Sequence, residues 1–428
     1  MRSLVKSKKF YETYKHTILQ VAPYRTPIMK RGRGNTVWDI DGNKYIDMMS
    51  GQFCLAFGHA YPPFNAVVRK QLNKIIHTNT LTLTDEIGKA TAAMASITDT
   101  SLTKTILLST GAEAVECAMR YAKFHTKKDG IVGIQSGYHG LTLATQSISS
   151  GGIYAAPRIP NSFSIPTPNV HELQRGETQE SVVKKVLAES KHILAPHKGK
   201  IAAFVVEPSI SVGGMIFPPE SYFRGIKKLA DDHKALIIFD ECQTGLGRMG
   251  TWFGYEQTGV VPDILVVAKI SGNGLPVSSV TMSDEVAAGV EEKFIHFSSH
   301  QNDALSAAVL NFVITHMKQQ KSLKKINEMG DYLLNELVAV SKNDEWLQRP
   351  RGRGLMIGFD LPARLFSKKR NPGQDLILLM EERGIFIQAI RRGQTFRILP
   401  SYLITRQEID TFVAVVRESM QILHKTYE

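Results

Sequence analysis

Between about residues 100 and 285 the chain repeats one unit, a short apolar run rich in β-branched residues followed by a stretch of helical period. The runs are Thr105-Ile106-Leu107-Leu108, Ile131-Val132-Gly133-Ile134, Ile201-Ala202-Ala203-Phe204-Val205-Val206, Leu236-Ile237-Ile238-Phe239 and Ile264-Leu265-Val266-Val267-Ala268. Continuous apolar runs of this length suit strands covered on both faces, whereas a half-exposed strand would alternate. Between two of them, Glu220 to Lys234 sets Tyr222, Ile226, Leu229 and Ala230 on one helical face. Strand, helix and strand in succession predict an α/β fold with a mostly parallel sheet. Such sheets take their ligands at the carboxyl ends of the strands.

The flanks read differently. Thr36-Val37-Trp38-Asp39-Ile40-Asp41-Gly42-Asn43-Lys44-Tyr45-Ile46-Asp47 is a pair of alternating strands around a tight turn. After about residue 305 a long helical stretch leads to strand-like Gly354-Leu355-Met356-Ile357-Gly358-Phe359, Ile385-Phe386-Ile387 and Thr395-Phe396-Arg397-Ile398, then to an amphipathic helix from Gln407. The expected division is an N-terminal segment, 1–50, that joins the small domain, a large domain over 51–304, and a small α+β domain over 305–428. A cleft between large and small domains is a natural ligand site.

Composition removes several function classes. With 43% hydrophobic and 21% charged residues the 428-residue chain is an ordinary globular protein, and no run reaches the ~18 apolar residues of a membrane span. The basic start, Met1 to Lys9, lacks the apolar stretch and cleavage site of a secretory signal, and Glu12 with a single arginine argues against a mitochondrial presequence, so a cytoplasmic location is expected. Cys54, Cys117 and Cys242 have no paired spacing, so neither disulfides nor a metal site are expected. The net charge of +12 is scattered rather than gathered into a stripe, which argues against nucleic acid.

Chemistry gathers at the strand ends. One run ends in Asp240-Glu241 and the next in Lys269, 29 residues on. A carboxylate and an amine facing one cavity are what pyridoxal phosphate needs: the amine condenses with the cofactor's aldehyde, and the carboxylate keeps the pyridine nitrogen protonated so that the ring accepts electrons from the substrate's α-carbon. By themselves, a strand-end Asp and Lys also suit a cap and a solvated charge. Ser109-Thr110-Gly111-Ala112-Glu113-Ala114 opens a helix bearing Val115, Ala118, Met119 and Ala122. The free N–H groups of such a turn suit a phosphate, and equally a plain N-cap. Ser136-Gly137-Tyr138-His139-Gly140 follows another strand, where an aromatic between glycines can lie over a planar ring or simply pack. Glu207-Pro208 closes the strand before Asp240.

Together these motifs, with Gly213-Gly214, Gln243-Thr244-Gly245-Leu246-Gly247-Arg248, Pro262-Asp263-Ile264, Arg351-Gly352-Arg353-Gly354 and Phe396-Arg397-Ile398, resemble the class III aminotransferases across nearly the whole chain. The resemblance implies a fold type I, pyridoxal 5'-phosphate-dependent transferase acting by a ping-pong mechanism on an amine or amino acid and a 2-oxo acid. It implies a homodimer with shared sites. It casts Lys269 as the Schiff-base lysine and proton shuttle, Asp240 as partner of the pyridine nitrogen and Gln243 as partner of the ring hydroxyl. Thr110, Gly111 and Ala112 would hold the phosphate, Tyr138 would stack on the ring with His139 and Glu207 nearby, and Arg397 would bind the substrate carboxylate.

Two segments resemble the dialkylglycine decarboxylase branch instead. Ser298-Ser299-His300-Gln301-Asn302-Asp303 would bring Ser299 to the neighbouring subunit's phosphate, and Met49-Ser50-Gly51-Gln52-Phe53 would set Gln52 on the substrate carboxylate. Tyr138 and Val212 depart from that branch, which has tryptophan and serine there. A decarboxylating transaminase, an amino-acid racemase and an inert cofactor-binding module are therefore the alternatives to simple amino transfer.

Overall fold

The computed structural model describes residues 2–149, 158–367 and 369–427. The apolar runs become members of a seven-stranded sheet in the spatial order Leu102–Leu108, Ser278–Ser283, Ile264–Val267, Leu236–Glu241, Ile201–Val206, Gly130–Ile134 and Ser162–Ile165. Ser278–Ser283 runs antiparallel to both neighbours, and the other pairings are parallel.

The alternation of side chains across the pleat explains why both faces are apolar. Phe204, Val206, Ile237 and Phe239 pack with Tyr222, Ile226 and Leu229 of the helix Glu220–Asp232. Ala203, Val205 and Ile238 face the other way, against Ala114, Val115, Ala118 and Ala122 of the helix Gly111–Thr126. Every residue of Ile201–Val206 is buried.

The smaller part is built from both chain ends. One antiparallel sheet runs Gln348–Arg353, Met356–Asp360, Thr395–Ile398 and Gln388–Ile390. A second joins Met29–Arg33, Thr36–Asp39 and Lys44–Asp47 to Ile385–Phe386, which pairs in parallel with Lys44–Asp47. Tyr45 stacks on Phe386 with ring centroids 4.6 Å apart, so the N-terminal strands are anchored on the C-terminal half. The turn that pairs those strands needs Gly42, whose φ is 95°, and it is fastened where Asp39 accepts the N–H of Asn43 at 2.8 Å.

The long helical stretch after residue 305 is two helices, Ala304–Gln319 and Ser322–Ser341, separated at Lys321, which adopts a left-handed conformation. The closing helix Arg406–Tyr427 buries Ile409, Phe412, Val416 and Met420. Among the described residues no helix is long and apolar enough to cross a membrane.

Candidate active site

Register carries the functional groups to one edge of the large sheet. Val206 pairs with Phe239, Asp240 with Val266 and Glu241 with Val267, so Glu207, Asp240 and Lys269 lie at the carboxyl ends of three adjacent parallel strands. The antiparallel strand starts at the same edge, where the Ser278 hydroxyl donates to the Thr110 carbonyl at 2.9 Å. Lys269 opens a short 3-10 turn with φ of 49°, a left-handed conformation for a residue with a side chain. Such a conformation costs on the order of 1–3 kcal/mol, and strain of this kind gathers at functional sites.

Asp240 is buried behind that edge. One carboxylate oxygen accepts the N–H of Cys242 at 3.0 Å and the other meets His139 Nδ1 at 2.8 Å. Burial alone would push the Asp240 carboxyl up, but the hydrogen bond and charge of His139, with the Cys242 N–H, hold it below the ordinary range. His139 experiences the reverse: burial disfavours its charge, and Asp240 outweighs burial and raises it. Across this 2.8 Å contact each group thus favours the charged form of the other, while His139 Nε2 is buried with no hydrogen-bond partner among the described residues. The His139 backbone is further fixed by its main-chain N–H, which donates to Ser149 Oγ at 2.7 Å. Glu207 lies beside them and accepts the N–H of Tyr138 at 2.9 Å. Burial, opposed by His139 and reinforced by Asp240, pushes its carboxyl up to about 7.

The residues fit pyridoxal phosphate on features of this structure. A Cβ on Gly111 would come within 2.9 Å of Cys242 Sγ and 3.3 Å of Ala268 Cβ, which is how the helix N-terminus reaches the edge between Asp240 and Lys269. Thr110 caps that helix by accepting the Glu113 N–H at 3.3 Å. The N–H groups of Gly111 and Ala112 precede the first intrahelical donors and suit an anion. Gly140, with φ of 115°, packs on Ala112, so the Tyr138-His139-Gly140 loop covers the same turn. Gln243 Nε2 is buried with no partner among the described residues, an unmet donor that a ring hydroxyl would satisfy. An anion cradle, a buried carboxylate, an amine and an idle amide at one edge are the donor set this cofactor requires.

The small domain supplies a cation. Arg397 is buried, donates to Ser211 Oγ at 3.2 Å and to Gln388 Oε1, and lies with its guanidinium carbon 4.7 Å from the Phe53 ring centroid. The Ser50–Phe53 segment carries positive φ at Ser50, Gly51 and Phe53, and is held where Asp47 accepts the N–H groups of Met49 and Gly51. Gln52 within it is exposed. Arg351 braces the two domains: it forms a two-pronged pair with Asp360 at 2.9 and 3.0 Å and donates to the carbonyls of Met215 and Gly214.

Ser299 is exposed and lies in the segment 298–303, away from this constellation in sheet order. That segment is tied to the outer strand where Leu107 donates to Asn302 Oδ1 at 3.0 Å, and Asp303 takes His77 and His300 at 2.6 and 2.7 Å. These three side chains are the group of His and acidic residues, among those described, whose atoms lie within 4.8 Å of one another, and Asp303 bonds Nδ1 of each histidine.

The family model for class III aminotransferases matches residues 20–420. The chain belongs to the class III aminotransferases. It is similar to the acetylornithine aminotransferase of Methanosarcina mazei, 29% identical over 402 residues that cover 94% of each protein. It is 28% identical to the human mitochondrial alanine–glyoxylate aminotransferase 2, covering 92% of this chain and 82% of that protein. A transaminase from the marine bacterium Virgibacillus shares the fold with a TM-score of 0.90 at 24% identity, over 98% of this chain and all of that one. The expected fold type I architecture and its pyridoxal phosphate dependence are thus those of this aminotransferase.

Sequence reading did not single out Phe53, Ser211 or Gln388. Gln388 lies on a three-residue strand too short to leave a periodic signal, and Ser211 on a loop. The one cue was the resemblance of Met49 to Phe53 to the decarboxylase branch, which marked Gln52 but not its neighbours.

Proposed function

We propose that the enzyme moves an amino group between an amino acid or amine and a 2-oxo acid in two successive half-reactions at this sheet edge. Its active unit would be a homodimer in the cytoplasm, built from the segment 1–50 and the domains 51–304 and 305–428. The observation that carries the site assignment is the strained Lys269 at the sheet edge that also holds the buried, hydrogen-bonded Asp240 and His139. Bound pyridoxal phosphate supplies the electron sink for charge released at the substrate's α-carbon.

The chain's own groups do the rest. Lys269 would hold the cofactor through its amine and would move the proton at the substrate's α-carbon. Asp240, kept ionised by His139, holds a proton on the ring nitrogen. The N–H groups of Gly111 and Ala112 grip the phosphate, Tyr138 covers the ring, Gln243 meets its hydroxyl, and Ser299 reaches the partner's phosphate. Arg397 orients the substrate carboxylate from the opposite wall by a two-pronged contact.

The test is reduction of the holoenzyme with borohydride, followed by digestion and mass mapping. The pyridoxyl tag is expected on Lys269, and Lys269→Ala is expected to lose both tag and turnover while remaining folded. A tag on another lysine overturns the assignment.

A further inference from the structure

We infer that Glu172 is a positioning residue for substrate recognition: it clasps Arg391 and Arg349 of the small domain and so fixes the strand that carries Arg397 against the large domain. The inference rests on the proposed carboxylate-binding role of Arg397. Glu172 lies on the loop between the strand Ser162–Ile165 and the helix Gln179–Leu194. Its two oxygens take the two arms of Arg391, one of them at 3.2 Å, and Arg349 Nη2 donates to Oε1 at 3.4 Å. Burial would push the Glu172 carboxyl up, but the hydrogen bond and charge of Arg391, with Asn169 and Arg349, hold it below the ordinary range.

Both arginines stand on left-handed backbone, with φ of 50° at Arg349 and 52° at Arg391. Arg392 and Gly393 continue that conformation at 57° and 96°. Backbone of this kind persists only where the surroundings over-determine it, and it gathers at sites that hold ligands. Arg391–Gly393 is the turn that joins Gln388–Ile390 to Thr395–Ile398, the strand bearing Arg397. One carboxylate of the large domain thus meets the small domain at two strained points.

The loop that carries Glu172 is tied in turn to the cofactor side. Thr167 Oγ1 accepts the N–H of Ser136 at 3.0 Å and donates to Ser136 Oγ at 2.9 Å, two residues before Tyr138. Asn169 donates to Glu172 Oε2 at 2.8 Å, and His171 Nε2 accepts the N–H of Phe217, which packs in one cluster with Phe53 and Met215. The segment 167–172 therefore spans from the loop over the cofactor edge to the turn behind Arg397. Arg351 braces the same junction through the carbonyls of Gly214 and Met215, so loss of Glu172 loosens the junction without opening it. With the strand held before substrate arrives, the cost of ordering it does not fall on binding. Without the clasp it does, and KM rises more than kcat falls.

The test uses the holoenzyme and propionate, which has the carboxylate of alanine and no amine. Calorimetric titration gives its Kd, steady-state kinetics give KM and kcat for alanine, and thermal melting with the cofactor's visible band reports folding and loading. Glu172→Gln is expected to weaken propionate and to raise KM for alanine by about fivefold, the worth of a half-buried ion pair, with kcat and the cofactor band little changed. Arg391→Gln is expected to do the same, and the double variant to fall well short of the product of the two, because both act through one contact. Arg391→Lys, which keeps a charged contact, is expected to lie nearer the wild type than Arg391→Gln.

Wild-type propionate affinity in Glu172→Gln and Arg391→Gln overturns the inference, and so does a double variant that shows the full product. A loss of cofactor band and Tm in step with affinity in every variant also overturns it, because general loosening would then account for the effect. If Glu172→Gln does not fold, the Arg391 pair decides: equal affinity in Arg391→Gln and Arg391→Lys overturns the inference. Arg397→Ala separates the two levels. It is expected to abolish propionate binding; if it does not, the carboxylate site itself is wrong and the inference falls with it, whereas lost binding there beside wild-type binding in Glu172→Gln overturns the inference alone.

Discussion

Replacing Asp240 by asparagine separates what the carboxylate does for the fold from what it does for the reaction. In the protein the carboxylate is buried, with His139 Nδ1 at 2.8 Å and the Cys242 N–H at 3.0 Å. Removing one charge of a buried pair typically costs about 3–5 kcal/mol when the other charge must stay. The fold escapes most of that, because a neutral His139 can still donate from Nδ1 to an amide oxygen. Stability should fall by only about 1–2 kcal/mol, the worth of a weakened hydrogen bond to a charged group. In the proposed role the reaction has no such escape, since an amide at position 240 would not hold a proton on the cofactor's ring nitrogen. Lost in full at the transition state, about 3–5 kcal/mol is roughly two to four powers of ten in kcat. The assay is alanine-dependent amination of a 2-oxo acid in Asp240→Asn, with cofactor content read from its visible band. A second readout is Tm against pH. His139 is raised in the fold, so its contribution is complete below its unfolded value of about 6.5 and is lost as pH rises through the higher folded value. Asp240 is lowered, so its contribution is present above about 3.9 and lost as pH falls through the folded value. Asp240→Asn should flatten both flanks. Wild-type turnover in a fully loaded Asp240→Asn, or an unchanged Tm profile, would refute the reasoning.

Gly111→Ala should lower Tm by an overpacking cost of about 1–3 kcal/mol and weaken cofactor retention, because the new methyl meets Cys242 Sγ at 2.9 Å; unchanged melting and an unchanged cofactor Kd by fluorescence titration would contradict the close approach. If the enzyme is a dimer with shared sites, mixing inactive Lys269→Ala with Ser299→Ala should restore activity in mixed dimers, since one of the two sites then has both native groups; no recovery despite demonstrated subunit exchange counts against sharing. Gln52→Ala tests the decarboxylase alternative through carbon dioxide release from 2-aminoisobutyrate, because a group that holds the carboxylate perpendicular to the ring selects that bond for cleavage. With no release in the wild type and unaltered alanine transamination in Gln52→Ala, decarboxylation is excluded and Gln52 has a local backbone role.

What the amino-acid order determined alone was five strands of the large sheet and the charges at their ends, but not Ser162–Ile165 or Ser278–Ser283. Ile201 to Val206 has to be a strand covered on both faces, because a continuous apolar run with β-branched residues has no polar side to show to water. Asp240 and Lys269 are legible for the same reason, as charges stopping runs that cannot otherwise tolerate them. Ser278–Ser283 was not legible: its Ser-Ser-Val-Thr-Met-Ser run looks solvated, yet it is buried, with Thr281 bonded to Thr105 at 2.9 Å and Ser278 to the Thr110 carbonyl at 2.9 Å. Only tertiary structure decided that Lys269 has a left-handed backbone, that His139 stands behind Asp240 across 101 residues, and that Arg397 is fenced by Phe53, Ser211 and Gln388. Periodicity reports which face of an element is buried, whereas partners between distant elements are chosen by strand register and domain packing, which local sequence does not encode.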